Sequence, residues 1–383
     1  MNKSCLIGFL MCSAFSLVVQ AATDGAHITK TISQIERKKG IKRTIQYRPD
    51  GNDFVCVNGK NRYTRALYGG ITDFRIETSD RPVFATYKPK DSKHICFRLQ
   101  CGNQSIALDS LKFCEARYRA GRRTYRLTDP LLGKGELNIS VLAFPDAEGG
   151  IWRFTMKDMP EGALLHCYIS EIRAKNLSRN GDMGADRADS FDAPQLPKEQ
   201  KHYKLSLDGT TAYIVVEDQE LRLPALVEGT SLYDKSEKWR SEIESSLQIS
   251  TPDPYFNPLG VALAAAADGI WDGKIWLHGA IGWRSQLNGW RAAYIGDFIG
   301  WHDRARTHFD SYAASQVTDV PATIPHPTQD TALHLARSVK KWGTPHYSNG
   351  YICRTPYRKE QMHHYDMNLC YIDELLWHFN WTG

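Results

Sequence analysis

The stretch Glu136-Leu-Asn-Ile-Ser-Val-Leu-Ala-Phe144, followed by Gly150-Ile-Trp-Arg-Phe-Thr-Met156, decides the fold of the first half of the chain. Apolar and polar residues alternate in each run, which is typical of a strand with one face in a core. Similar short runs recur from about residue 45 to 230, with turn residues such as Asn58-Gly59 between them. The repeated spacing predicts two antiparallel sheets packed as a β-sandwich.

Beyond Tyr233 the pattern becomes helical. Residues 232–250 are predicted to form a linker helix, and three prolines in 251–258 interrupt the helical pattern. Helical spacing returns in several later segments: 259–268, 289–300, 301–315, 330–341 and 366–379. The predicted fold class is therefore a multi-domain β + α protein, with an antiparallel β-sandwich followed by helical hairpins.

The first residues resemble a secretion signal. Lys3 supplies a positive start, Leu6 to Val19 is apolar, and Ala21 offers a small residue at a cleavage site. The apolar run is too short for a comfortable membrane span. We therefore expect a periplasmic or secreted protein with no membrane attachment after removal of the signal. The predicted division is signal peptide 1–21, β-sandwich 22–231, linker helix 232–250 and helical domain 251–383.

The cysteine spacing and the net charge narrow the classes of function that this protein can have. Export permits a disulfide among Cys96, Cys101 and Cys114, and buried free thiols are the alternative. The formal net charge of +5 is mild and dispersed, which argues against nucleic-acid binding. The sequence has no pair of Cys-x2-Cys units and no His-x3-His pair with a nearby Glu, so we expect no metal and no cofactor.

The segment from Trp271 to Arg306 has an unusual composition. It holds five tryptophans interleaved with arginine, aspartate and histidine, a mixture that suits neither a core helix nor a solvent face. Indole rings stack on the apolar faces of sugars, and charged forks bind hydroxyl groups. We predict a carbohydrate site, and packing of the tryptophans in a helical core is the alternative. The candidate substrate-binding residues, including two from a later segment, are Trp283, Arg284, Trp290, Arg291, Trp301, His302, His364 and Asn368.

Two carboxylates are the candidate catalytic residues, because hydrolysis of a glycosidic bond usually needs an acid and a base or nucleophile. Asp366 opens a predicted helix, where the positive end of the helix dipole favours a carboxylate and suits a base or nucleophile. Its alternative role is to cap the helix. Asp303 is the second candidate, and an ion pair with Arg304 or Arg306 is the alternative for it.

Three motifs carry a family resemblance: Gly289-Trp-Arg-Ala-Ala-Tyr294, Gly300-Trp-His-Asp-Arg-Ala-Arg-Thr-His-Phe309 and His364-Tyr-Asp-Met-Asn-Leu369. With the preceding sandwich and linker helix, they resemble the six-hairpin glycosidases, and within them a bacterial family of unknown function. The resemblance implies an (α/α)6 toroid and an exported glycoside hydrolase-like protein that acts on an oligosaccharide or polysaccharide. Residues 251–383 are too few for twelve helices of about 11 residues with their loops. We therefore expect an incomplete toroid, and further helical-hairpin coding sequence beyond Gly383 of a truncated chain.

Two other functions stay open at this point. A polysaccharide lyase also uses a toroid, and His363, His364, Tyr365 and Asn368 suit proton abstraction beside a uronate. A non-catalytic module that binds glycans through the sandwich is the third possibility. The sequence leaves open whether this chain is an enzyme.

Overall fold

The computed structural model describes residues 46–119, 121–182, 185–289, 293–318, 350–356 and 365–383, and the backbone of 329–330 and 335–336. As far as the chain is described, residues up to 177 and 187–266 form one compact unit. Residues 178–186 and 267–383 form the other. The predicted signal peptide, residues 1–21, lies outside the described residues, and export therefore stays a prediction.

The first unit holds two antiparallel sheets. One has eight strands in the order β1-β2-β8-β9-β10-β11-β14-β15, and the other has the order β13-β12-β6-β5-β4-β3, with β7 paired to β6. The strands of the first sheet are β1 Arg48–Asp50, β2 Asp53–Val57, β8 Phe113–Arg119, β9 Arg122–Thr128, β10 Glu136–Ala143, β11 Gly149–Lys157, β14 Thr211–Glu217 and β15 Glu220–Arg222. Those of the second are β3 Arg65–Tyr68, β4 Arg75–Thr78, β5 Val83–Tyr87, β6 Lys93–Cys101, β7 Gln104–Ala107, β12 Leu164–Glu171 and β13 Gln200–Ser206.

Strand alternation places the core between the sheets, as predicted. Ile139 of β10 and Trp152 of β11 are buried on the inner face. Trp152 packs edge-on against Phe84 of β5, with ring centroids 5.7 Å apart, which joins the two sheets. The seven cysteines in the described residues are free thiols, so the disulfide considered for Cys96, Cys101 and Cys114 does not form here.

A helix covers part of the outer face of the first sheet. Helix α1, Leu226–Ser245, packs its Tyr233 with Leu142, Ile151 and Tyr213 of the sheet. It begins earlier than the predicted start at Leu232. Its first residues, Leu226 and Val227, are exposed, so the apolar spacing that marks a buried helical face begins only later.

The second unit is helical, and the predicted fold class of a β-sandwich followed by helices is confirmed. Helix α2, Asn257–Gly269, leads into this unit, where α3 Ala293–Phe298, α4 His302–Ala313 and α5 Tyr365–Thr382 pack against one another. Two short strands, β16 Gln329–Asp330 and β17 Leu335–Ala336, pair in antiparallel fashion. The helix predicted for 330–341 is wrong at these residues, because their backbone groups pair between two strands instead of along a helix.

Helix α5 has one buried face and one exposed apolar face. One, formed by Met367, Tyr371, Glu374 and His378, is buried within the unit. On the other, the exposed fractions of the side chains are large and the spacing is also helical: Leu369 70%, Ile372 60%, Leu376 55% and Phe379 62%. None of the helices in the described residues is long and apolar enough to cross a membrane.

Candidate functional site

The structure separates the tryptophans of the predicted sugar site into core and surface residues. Trp276 is 1% exposed, and its indole Nε1 donates to the carbonyl of Ala267 at 3.1 Å. Its backbone N–H donates to Nδ1 of the buried His308 at 3.1 Å. Trp276 is therefore a core residue and not a surface for sugar stacking. The one polar atom of its side chain, Nε1, already has a hydrogen-bond partner inside the unit.

Trp301 and Trp271 are half-buried and share one arginine. The guanidinium carbon of Arg304 lies 4.3 Å from the ring centre of Trp301 and 5.6 Å from that of Trp271. The Arg304 guanidinium also donates to the Asp268 carboxylate at 2.8 Å. Burial raises the pKa of Asp268, and the charge of Arg304 opposes that effect without cancelling it. Arg304 therefore pairs with Asp268 and not with Asp303, its neighbour in sequence.

Among the described tryptophans of this segment, Trp283 is the exposed one, with 54% of its surface accessible to solvent. It ends the short 3-10 turn Ile281–Trp283. The ring of His278 meets it edge-on at 5.7 Å, and the guanidinium of Arg179 lies 4.4 Å above it. Arg179 also donates to the carbonyl of Gly282 at 3.3 Å. These contacts hold the indole in place while more than half of it faces solvent.

A tight loop positions Arg179. Partial burial disfavours the charged form of Asp186, but hydrogen bonds from Ser178, Arg179 and Gly181 outweigh burial and lower the pKa of this carboxyl. The backbone N–H groups of Arg179 and Gly181 donate to it at 3.0 and 2.9 Å. Residues 178–186, which contain this loop, belong to the second compact unit.

A buried carboxylate joins two histidines. Asp297 is 5% exposed and accepts from Nδ1 of His302 at 2.7 Å. It also accepts from Nδ1 of His378, at 2.9 Å through one oxygen and 3.1 Å through the other. His378 is buried, whereas 39% of the His302 side chain is exposed. In a neutral imidazole, an Nδ1–H donated to this carboxylate leaves the lone pair on Nε2, which is the arrangement that a base requires.

The two predicted catalytic carboxylates are exposed and lie in the first turns of two different helices, Asp366 in α5 and Asp303 in α4. Asp303 is adjacent in sequence to His302, whose partner Asp297 contacts His378 near the end of α5. Asp366 and His378 are separated by about 18 Å along that helix, at 1.5 Å per residue. Two carboxyl groups that act on one bond lie roughly 5–10 Å apart. Each carboxylate lies in the first turn of its own helix, and the catalytic roles of Asp303 and Asp366 stay predictions.

The other predicted binding residues have mixed placements. Asn368 pairs with the backbone of Ile352, accepting from its N–H at 2.7 Å and donating to its carbonyl at 3.0 Å. Arg284 is half-buried and donates to the carbonyl of Gly269 at 2.9 Å. Both side chains thus have structural partners, and their roles in binding sugar stay predictions. The remaining three, Trp290, Arg291 and His364, lie outside the described residues.

Sequence reasoning missed Arg179 and the partnership of Asp297 with His378. Arg179 is separated from Trp283 by more than a hundred residues, and Asp297 from His378 by 81. No local spacing joins such residues. The polar segment 176–197 carried the one available signal, since long irregular loops often have a function.

The described residues contain no group of three or more histidine, cysteine, aspartate and glutamate side chains that could hold a metal ion. The Asp297 carboxylate is instead shared by the Nδ1 atoms of His302 and His378. The described residues of this site can transfer protons, form hydrogen bonds and stack on a ligand.

Comparisons with known proteins place this chain only broadly. Residues 89–216, within the β-sandwich, match a family model described as Domain of unknown function (DUF4450). The match covers about a third of the chain and does not include the three motifs between Gly289 and Leu369. No curated protein matches the sequence.

Among solved structures, one described as a bacterial glucoamylase complexed with acarbose is similar. The TM-score is 0.35 and the identity 9%, over 69% of this chain and 55% of that one. The chain thus spans little more than half the length of that structure.

Proposed function

We propose that this protein is an exported, glycoside hydrolase-like protein that binds an oligosaccharide or polysaccharide through its second unit. The observation that carries the proposal is the exposed Trp283, held between His278 and Arg179. An indole ring that is held in place and exposed to solvent offers a stacking surface for the C–H face of a sugar. A guanidinium beside it supplies donors for hydroxyl groups. Preorganisation of this kind reduces the entropy that binding costs.

The binding proposal is tested with the full chain on an array of neutral and uronate-containing oligosaccharides, followed by calorimetric titration of the best ligand. We expect Trp283→Ala to weaken binding at least tenfold, because it removes the stacking surface. Trp377→Ala is the matched control, since Trp377 is 48% exposed on α5 and outside this site. It should leave affinity within twofold. Unchanged binding by the Trp283 variant, or no binding by the wild type, would refute the proposal.

For the chemical step, we propose hydrolysis with Asp366 as base or nucleophile. Support comes from its exposed position in the first turn of α5, where the helix dipole stabilises a carboxylate. Asp303 is the second candidate carboxylate.

Hydrolysis is tested by incubating the full chain with the glycans that it binds. We expect new reducing ends, and we expect Asp366→Asn to lower kcat by roughly 100-fold or more, which is typical for loss of one acid–base group. Asp310→Asn, which alters another exposed acid on α4, should leave kcat within twofold. Equal activity of the Asp366 variant would remove this residue from the mechanism.

One observation favours a second candidate, a polysaccharide lyase. His302, oriented by Asp297 and half-exposed, has the arrangement of a general base that could abstract a proton next to a uronate carboxyl. A lyase leaves an unsaturated uronate at the new end, and a hydrolase does not. Absorbance in the unsaturated-uronate band during cleavage of anionic glycans would therefore replace the hydrolase proposal with this one.

A further inference from the structure

Part of the outer face of the first sheet is polar and is not covered by α1. Strand pairing aligns its outward side chains in two rows across β8, β9, β10 and β11. The first row runs Arg117, Thr124, Ser140 and Arg153, and the second runs Glu115, Arg126, Asn138 and Thr155. Neighbouring outward residues in such rows lie about 5 Å apart, so the rows form one continuous polar surface.

These rows form the floor of a cavity of about 350 Å³ within the first unit. That volume lies in the range of small-ligand sites. One side approaches α1, where the Tyr233 hydroxyl and Ser140 Oγ are hydrogen-bonded at 2.7 Å. The cavity presents hydroxyl and amide groups together with four guanidinium groups and one carboxylate, so most of its lining is polar.

Two of the arginines have good protein partners. Arg117 contacts Asp50 and Glu115, each at 2.8 Å. Arg122 contacts Glu237 of α1 at 2.8 Å. The hydrogen bond from Arg117 lowers the pKa of Glu115, so this carboxylate stays charged and balances Arg117.

The other two arginines are less well paired. Arg153 is half-buried, its guanidinium carbon lies 3.9 Å from the ring centre of Tyr233, and no described carboxylate lies within 4.0 Å of its nitrogens. Arg126 reaches Glu136 and Glu115 only at 3.3 and 3.5 Å. Charge-assisted pairs are usually about 2.7–2.9 Å apart. The guanidinium of Arg153 can therefore bind an anion in this cavity.

We propose that this cavity binds a sugar acid, with the carboxylate of a uronate unit on the guanidinium of Arg153 and its hydroxyl groups on Asn138, Ser140 and Thr155. Arginine matches a carboxylate with two parallel donors, and the Tyr233 ring lies against the guanidinium of Arg153. The surrounding hydroxyl and amide groups both donate and accept, as sugar hydroxyls do. Glu115, on the Arg117 side, disfavours a second negative charge there and directs the acid toward Arg153.

This site belongs to the sandwich and does not rest on the function proposed for the second unit. It would let the protein hold an acidic glycan whether or not the helical unit cleaves it. Unchanged binding by the Trp283 variant leaves this site untouched, and unchanged binding by the Arg153 variant leaves the Trp283 site untouched.

The test is calorimetric titration of the full chain with trigalacturonate, with neutral galactotriose and inorganic phosphate as separate arms. We expect trigalacturonate to bind, galactotriose not to bind, and phosphate to bind at least tenfold more weakly. Arg153→Gln should weaken trigalacturonate binding at least tenfold. Lys157→Gln is the matched control, because it removes one charge from the same strand outside the cavity, and it should change affinity less than twofold.

Unfolding temperatures of both variants are measured first. If Arg153→Gln unfolds the sandwich, Asn138→Asp replaces it, since a carboxylate on the cavity floor repels the acid and should abolish binding. Equal affinity of wild type and the Arg153 or Asn138 variant would overturn the proposal. Phosphate binding as tight as that of trigalacturonate would overturn the assignment to a sugar acid.

Discussion

His308 shows how burial turns one residue into a source of pH dependence. It is 1% exposed on α4, and its Nδ1 accepts the backbone N–H of Trp276. Burial lowers the pKa of His308 to about 3, from 6.5. The unfolded chain therefore binds a proton at mildly acidic pH that the folded chain does not bind.

Because the unfolded chain binds this extra proton, a fall in pH favours unfolding. The contribution of His308 to stability is complete above pH 6.5 and is lost as the pH falls from 6.5 toward 3. Between pH 7 and pH 5 we expect the free energy of unfolding to fall by about 2 kcal/mol from this residue alone. Burial lowers the pKa of His94 and of His166 as well, and these residues act in the same direction.

Urea denaturation of wild type and His308→Gln at several pH values between 7 and 5 measures this contribution. The glutamine carbonyl can accept the Trp276 N–H but does not titrate in this range. We expect the variant to lose about 2 kcal/mol less than wild type over the interval. Parallel pH profiles for the two proteins would contradict the assignment.

At the scale of elements, α3 packs its backbone directly on Trp276. A Cβ placed on Gly296 would lie 2.3 Å from the Trp276 ring, and that ring is fixed in the core. Glycine in a helix usually costs about 1 kcal/mol relative to alanine. At Gly296 the clash with Trp276 outweighs the gain in helix propensity, because overpacking of a rigid core typically costs about 1–3 kcal/mol of stability.

We therefore predict that Gly296→Ala destabilises the protein by about 1–3 kcal/mol in urea denaturation, although alanine is the better helix former. Arg306→Ala is the control, an exposed change on the adjacent α4, which should stay within about 0.5 kcal/mol of wild type. A stabilised Gly296 variant would mean that Trp276 can move and is not a fixed core residue.

The elements differ in how far the sequence predicted them. Strands β10 and β11 could be predicted because each alternates between one buried and one polar face. The sequence predicted where helix α5 lies but not which of its faces is buried. Tyr371 and Ile372 are both apolar, yet the first is buried and the second is exposed. Trp276 and Trp283 have similar neighbours in sequence, and only tertiary packing makes one a core residue and the other a surface residue.

At the scale of the whole molecule, the β-sandwich followed by helices was predictable, but the composition of the site was not. The site at Trp283 uses Arg179, which comes from a loop between two sandwich strands. The Asp297 carboxylate joins residues from α3, α4 and α5. Such groupings depend on the path of the chain in space, which the local pattern of a sequence does not encode.

The central claim is that Trp283 and its neighbours bind a glycan. The most direct measurement is calorimetric titration of the full chain, of Trp283→Ala and of Trp377→Ala with the tightest ligand from the glycan array. The account predicts at least a tenfold loss of affinity for the Trp283 variant and less than a twofold change for the Trp377 variant. Equal affinities for all three proteins, or a greater loss at Trp377, would contradict it.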